Sequence, residues 1–237
     1  VLPELVDLLE HATGQPFRGA ANQRIQEGHA VVILRFTDVD DLFNDPFVDV
    51  RIYHGFAKSS NCAEAFGGSG LFFVDNASLV TSGDLDTPRW RMQGSIIDGK
   101  LQVTNAWSLA SAATLAIPLQ IGLGASSTLS VGVHQASLYT AADHLAGTTP
   151  FSANFGGWLN TDQFSLSLEN TFTSLSSQIF QLMPRLSDLP NPSTGVCDTG
   201  TPLAYGGLSV GANVTLTGAV IYGTASSANS GTCGTNW

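Results

Sequence analysis

The feature that most limits how this chain can fold is a strict alternation of apolar with small polar residues. Leu208, Val210, Ala212, Val214, Leu216, Gly218, Val220 and Tyr222 occupy every second position of one run. Leu115, Ile117, Leu119, Ile121 and Leu123 do the same, interleaved with Ala116, Pro118, Gln120 and Gly122. Shorter versions appear at Leu129, Val131 and Val133 and at Phe164, Leu166 and Leu168. Side chains of an extended strand point alternately to its two faces, so this period predicts strands with one face to bury. Leu208 to Tyr222 reads as one long strand with even-numbered residues inward and Ser209, Asn213, Thr215 and Thr217 outward. Pro118, which cannot donate to a ladder, places its own segment at a sheet edge or a bulge.

Further strands are expected at Ala30 to Phe36, Phe47 to His54, Gly70 to Asp75, Arg89 to Ile96 and Lys100 to Asn105. Two segments carry the helical period instead. Leu2 to Ala12, with Pro3 and Glu4 in the first turn and Gly14 beyond, predicts a short helix at about 3–13. Phe172, Leu175, Ile179, Leu182 and Leu186 trace one stripe, which predicts a second helix at about 173–185, ended or kinked by Pro184. The expected fold is therefore all-β, a β-sandwich or strongly curved antiparallel sheet with two short peripheral α-helices. The chain of 237 residues reads as a single β-rich domain, 1–237.

Charge is unevenly spread. Of 28 Asp, Glu, Lys and Arg residues, 22 fall in the first hundred positions, and 101–142 and 199–237 have none. The polar positions of the second half are Ser, Thr, Asn, Gln and Gly, which cost little to desolvate against protein, lipid or neutral glycan. A net charge of −10 with only nine Lys and Arg excludes a nucleic-acid partner, which needs a basic stripe. Apolar content of 43% excludes disorder. Trp107 to Ala125 is uncharged and long, but Pro118, Gln120 and the alternation make it strand rather than a spanning helix. A membrane barrel would also alternate. The approach to Trp237 (Gly231, Cys233, Thr235) is not a lipid-facing stripe, so the chain is not expected to span a membrane.

Val1 in place of an initiator Met reads as leader removal or trimming, which suits a secreted or cell-surface protein, extracellular or periplasmic. Asn76 and Asn213 sit in glycosylation sequons. Three cysteines without a Cys-x-x-Cys spacing suit a disulfide better than zinc. Cys197 with Cys233 is the expected bridge, tying the Gly/Ser-rich tail to the body and leaving Cys62 over.

The acidic run offers the clearest local chemistry. Asp38, Asp40, Asp41, Asn44 and Asp45 crowd hard oxygen ligands onto one loop between strands, with Asp49 close behind, and calcium is the cofactor such a loop would take. Catalytic motifs are weak. Gly207-Leu208-Ser209-Val210-Gly211 has the nucleophile-elbow spacing, but a strand rather than a helix should follow it. Asp198-Thr199-Gly200 supplies one carboxylate where an aspartic protease shares a proton between two. The five His residues are scattered. Glu169, in a nearly charge-free region, is the carboxyl group most worth attention in a hydrolase. No catalytic residue is assigned. The leading expectation is a secreted, non-enzymatic β protein whose uncharged Ser/Thr/Gly surface assembles with itself or another extracellular protein as a structural or adhesive component. A carrier of an apolar ligand, lipid or pigment, and a secreted hydrolase of a neutral polysaccharide are the alternatives.

Overall fold

The computed structural model describes Asp7, Glu10 and residues 31–59, 61–107, 114–120, 128–147, 149–171, 188–190 and 205–226. Among the described residues eleven strands run in chain order: β1 (Val31–Thr37), β2 (Asp45–Ala57), β3 (Gly70–Asp75), β4 (Trp90–Ile97), β5 (Lys100–Trp107), β6 (Thr114–Gln120), β7 (Thr128–Ala141), β8 (Phe151–Asn160), β9 (Leu189–Pro190), β10 (Tyr205–Leu216) and β11 (Ala219–Ala225). A one-turn helix α1 (Cys62–Ala65) precedes β3, and α2 (Thr161–Thr171) follows β8. The sheet order is β11-β3-β2-β4-β5-β7-β8-β10-β9, with β1 paired to β2 and β6 to β7. The all-β class therefore stands. The sheet is mixed rather than purely antiparallel, because β11 runs parallel to β3.

Packing groups the chain into two compact units. One comprises Val1–Gln23, Leu115–His134 and Gly157–Val210; the other comprises Arg24–Thr114, Gln135–Gly156 and Gly211–Trp237.

The second unit is organised by β2. Residues Asp49 to Ile52 of β2 pair with β1 on one edge and with β4 on the other. Beyond them, Gly55 pairs with both Val31 of β1 and Val74 of β3. Strands β3 and β4 thus share one edge of β2, and among the described residues β1 takes the opposite edge alone. Tyr53, Ala57, Val31, Ile33, Phe72, Val74, Leu79 and Ala65 form one buried cluster, with Phe66, Leu85 and Ile221 packed against it. Val48, Val50 and Ile52, also buried, fall at the alternate positions of β2. Gly55 is needed where these layers close up, since a Cβ there would come within 2.5 Å of the Ile33 side chain and 2.7 Å of the Phe73 carbonyl oxygen.

The hairpin from β4 to β5 has a two-residue turn, Asp98-Gly99, both with positive φ (49° and 71°). That is the conformation a primed hairpin turn requires and an Asp-Gly pair supplies.

Two expectations are corrected. Leu208 to Tyr222 is two strands, β10 and β11, separated at Thr217-Gly218. Leu208 is buried, Val210, Val214 and Leu216 are half-buried, and Ser209, Asn213 and Thr215 are exposed, so the even-inward pattern describes most of β10. Past the break it reverses: Ile221 turns inward while Val220 and Tyr222 are exposed. The parallel register sets this, because Ile221 pairs with buried Phe72 and Val220 with exposed Leu71. Thr217, expected outward, is half-buried, and its hydroxyl lies 3.5 Å from the Phe66 carbonyl oxygen.

The second correction is α2, where Phe164, Leu166 and Leu168 suggested strand. Asn160 caps this helix, its Oδ1 accepting from the Gln163 N–H at 3.0 Å. The buried set is Thr161, Ser165 and Leu168, a helical spacing that leaves Leu166 60% exposed. Period two over three apolar residues was too short to outweigh the cap. The helix expected at 173–185 lies outside the described residues, as does that at 3–13 except for Asp7 and Glu10, which are helical.

In a strand Leu166 and Leu168 would share a face, so they separate the two readings. Leu168→Ala is expected to cost about 2–4 kcal/mol of stability and Leu166→Ala under about 0.5 kcal/mol, measured by urea unfolding.

Candidate functional site

The second unit contains a cleft of about 310 Å³. Six consecutive residues of β1, Val31 to Phe36, line it. A cavity over one face of a strand would touch alternate residues; touching all six places it along the strand's edge. The far side is built from Thr215 to Ala219, where β10 ends and β11 begins, and from His144, Leu145, Gly147 and Phe151. Among the described residues no strand pairs with the outer edge of β1.

The sequence folds this way for local reasons. β1 (Val-Val-Ile-Leu-Arg-Phe-Thr) is apolar throughout except near its end, so it buries Val31 and Ile33 in the shared cluster. Phe66 and Phe72 meet at 5.7 Å between ring centroids and extend the apolar wall. His144 stacks on Phe151 at 5.0 Å and 30°. Its Nδ1 is 3.2 Å from the Thr140 hydroxyl, which lies 3.1 Å from the Ser152 carbonyl oxygen. Twelve of the eighteen lining residues are apolar, and among the described lining residues there is one Arg, one His and no carboxylate.

Arg35 connects the cleft to a charged network on the same face of the sheet. Register aligns Arg35 of β1, Arg51 of β2 and Arg91 of β4 side by side. Like charges in adjacent strands repel unless carboxylates intervene. Asp49, whose side chain is only 5% exposed, does so. It accepts from Arg51 Nε at 2.9 Å and from Arg91 Nη2 and Nε at 2.6 and 3.1 Å, with the Thr37 hydroxyl 3.2 Å away. Burial pushes the Asp49 carboxyl upward, but the hydrogen bonds from Arg91 and Arg51 outweigh it and hold the group below its ordinary value. Asp86 is bonded to Arg51 and lies 3.5 Å from Arg35 Nη1. Tyr53, fully buried between these groups and the apolar cluster, donates its hydroxyl to the Leu85 carbonyl at 2.6 Å.

The residues singled out in the sequence lie elsewhere. On the acidic loop, the Asp45 carboxylate accepts from the N–H groups of Asp40 (2.6 Å), Phe47 (3.0 Å) and Asp41 (3.4 Å). These bonds, that of Phe47 foremost, lower its pKa. Asp41 accepts from the Phe43 N–H at 2.8 Å, and Asn44 Oδ1 from the Asp98 N–H at 3.2 Å, tying the loop to the β4–β5 hairpin. Asp38 is exposed and takes a left-handed φ of 58°. Among the described residues no three His, Cys, Asp or Glu side chains gather as a metal-binding group.

Ser209 lies within β10 rather than at a strand-to-helix elbow, and it bonds through backbone and hydroxyl to Asp188. Glu169 belongs to α2 rather than to a strand. Cys62 opens α1. Cys197, Cys233 and Asp198-Thr199-Gly200 lie outside the described residues.

In the first unit His134 stacks on Trp158 at 4.2 Å and 14°, and burial lowers its pKa against a contact with Gln163. Arg35, Arg51, Arg91 and Asp86 belong to no motif in the sequence. The available signal was an arginine inside each of three apolar-rich strands. Compared with known protein families, curated proteins and solved structures, the chain shows no match in any of the three.

Asp49→Ala leaves the half-buried Arg91 guanidinium without its anion and Arg51 with Asp86 alone, and is expected to cost about 3 kcal/mol at neutral pH. Because Asp49 is depressed in the folded state, its contribution is present above the ordinary value of 3.8 and fades as pH falls through the lower folded value. Urea unfolding of both proteins should therefore show the gap between them narrowing in acid.

Proposed function

We propose that this chain is a non-enzymatic binding protein, secreted or at the cell surface, that holds a small apolar-bodied ligand in the cleft beside β1. One observation carries this reading: a cleft of about 310 Å³, two-thirds apolar in its lining, contained within a single compact unit. Ligand sites are concave, mostly apolar and roughly 300–1,000 Å³, with a few polar groups that fix orientation. Thr215, Thr217, His144 and Arg35 supply such groups here. A polysaccharide hydrolase would need two carboxyl groups facing one groove, and the described lining of this cleft offers that chemistry no support.

Titration with the neutral fluorescent probe N-phenylnaphthylamine is expected to show saturable binding. Ala219→Trp, a substitution at an exposed lining position, should abolish it while leaving the melting temperature within a few degrees. Probe binding that is absent, or unchanged by the Trp, would defeat the proposal.

Assembly, the leading expectation from sequence, keeps one specific support. Phe43, Ile97 and Phe47 are 60, 51 and 45% exposed, and the Gly99 N–H donating to the Phe43 carbonyl, with the Asp98 N–H donating to Asn44 Oδ1, joins the loop of Phe43 to the hairpin of Ile97. Exposed apolar groups brought close together on a surface mark interaction sites. Light scattering of the concentrated protein is expected to show a concentration-dependent mass that Phe43→Ser with Ile97→Ser removes; a strict monomer would exclude this second role.

A further inference from the structure

The apolar wall accounts for the body of a ligand, and the charges around it define the other end. Acidic residues outnumber Lys and Arg by 19 to 9 in this chain, yet among the described lining residues the cleft has Arg35 and His144 and no Asp or Glu. Arg35 is also the least firmly held member of the charged network. Asp49 receives three N–H contacts from Arg51 and Arg91. Asp86, 71% exposed, is bonded to Arg51 and stands 3.5 Å from Arg35. Three guanidinium groups face two carboxylates, so one positive charge is left over. It falls to Arg35, which is 40% exposed and lines the cleft.

We propose that the cleft binds an amphiphile with an anionic head group, carboxylate or phosphate, which pairs with Arg35 while its hydrocarbon lies along Val31, Ile33, Phe72 and Ile221. A guanidinium presents a planar fork of donors that matches either anion, and the neighbouring apolar wall weakens competition from water. This inference rests on the reading of the cleft as a ligand site, and the experiment separates the two.

The full chain would be titrated calorimetrically with dodecanoate, dodecyl phosphate, dodecanol and dodecylamine, each below its micellar concentration, with native mass spectrometry to count bound molecules. The expected result is one bound molecule, with either or both anions held roughly tenfold more tightly than the alcohol and the amine weakest. Arg35→Gln should reduce anion binding to the level of the alcohol without changing the alcohol, and Arg35→Lys should keep most of it. Asp86→Asn removes the carboxylate that competes for Arg35, so it should tighten anion binding severalfold; a merely structural network would give no such gain. If Arg35→Gln fails to fold by circular dichroism, Arg35→Lys and Asp86→Asn decide. Alcohol bound as tightly as both anions, or Asp86→Asn without effect, would overturn the anionic head group while leaving the cleft a ligand site. No binding of any of the four would overturn both.

Discussion

The second unit depends on β2 being paired along both edges, in unbroken register with β1 and, from Val48 to Ile52, with β4. Val48, Val50, Ile52, Tyr53, Phe56 and Ala57 are all buried, so both faces of the strand are committed and its alternation cannot slip. A shift of one residue would exchange Tyr53 with Ile52 and carry Asp49 to the opposite face, away from its arginines. That register places Arg35, Arg51 and Arg91 in line, and the buried Asp49 carboxylate makes the line tolerable. Apolar packing and the ion network thus select the same alignment.

The cleft follows from the same pairing. Strands β3 and β4 succeed one another along one edge of β2, and among the described residues β1 alone covers the other. An exposed strand edge is normally guarded by lysine, proline or a bulge, because its free N–H and C=O groups invite pairing. β1 has only Arg35 in that role, and its edge opens into a space walled by Thr215–Ala219 and Phe151. The break at Thr217-Gly218 makes that wall. There the chain leaves β10, turns Ile221 inward and joins β3 in parallel. One surplus guanidinium beside an apolar wall is a small feature, but it gives the cleft a polarity that its apolar lining alone would lack.

The strands were largely legible in the sequence, because burial of one face leaves a period-two trace that needs no knowledge of the partner. Gly70 to Asp75 is observed as expected, and β1, β2, β4 and β5 differ by one to three residues at their ends. The trace failed where it was short or where the partner changed. Three apolar residues at 164, 166 and 168 could not outweigh the Asn160 cap, and a fifteen-residue alternation concealed a change of sheet neighbour at Gly218. The candidate site was scarcely legible at all. Arg35, Arg51 and Arg91 are separated by 16 and 40 positions, and only pairing brings them together. The acidic run offers Asp45 as a calcium ligand and Asp49 only as its neighbour, yet one closes a turn and the other neutralises two arginines. Local patterning determined which segments are extended and which face each would bury. Which strand stands at the edge, which charge is left over and where a cleft opens were decided by tertiary structure, because they depend on register between segments distant in sequence.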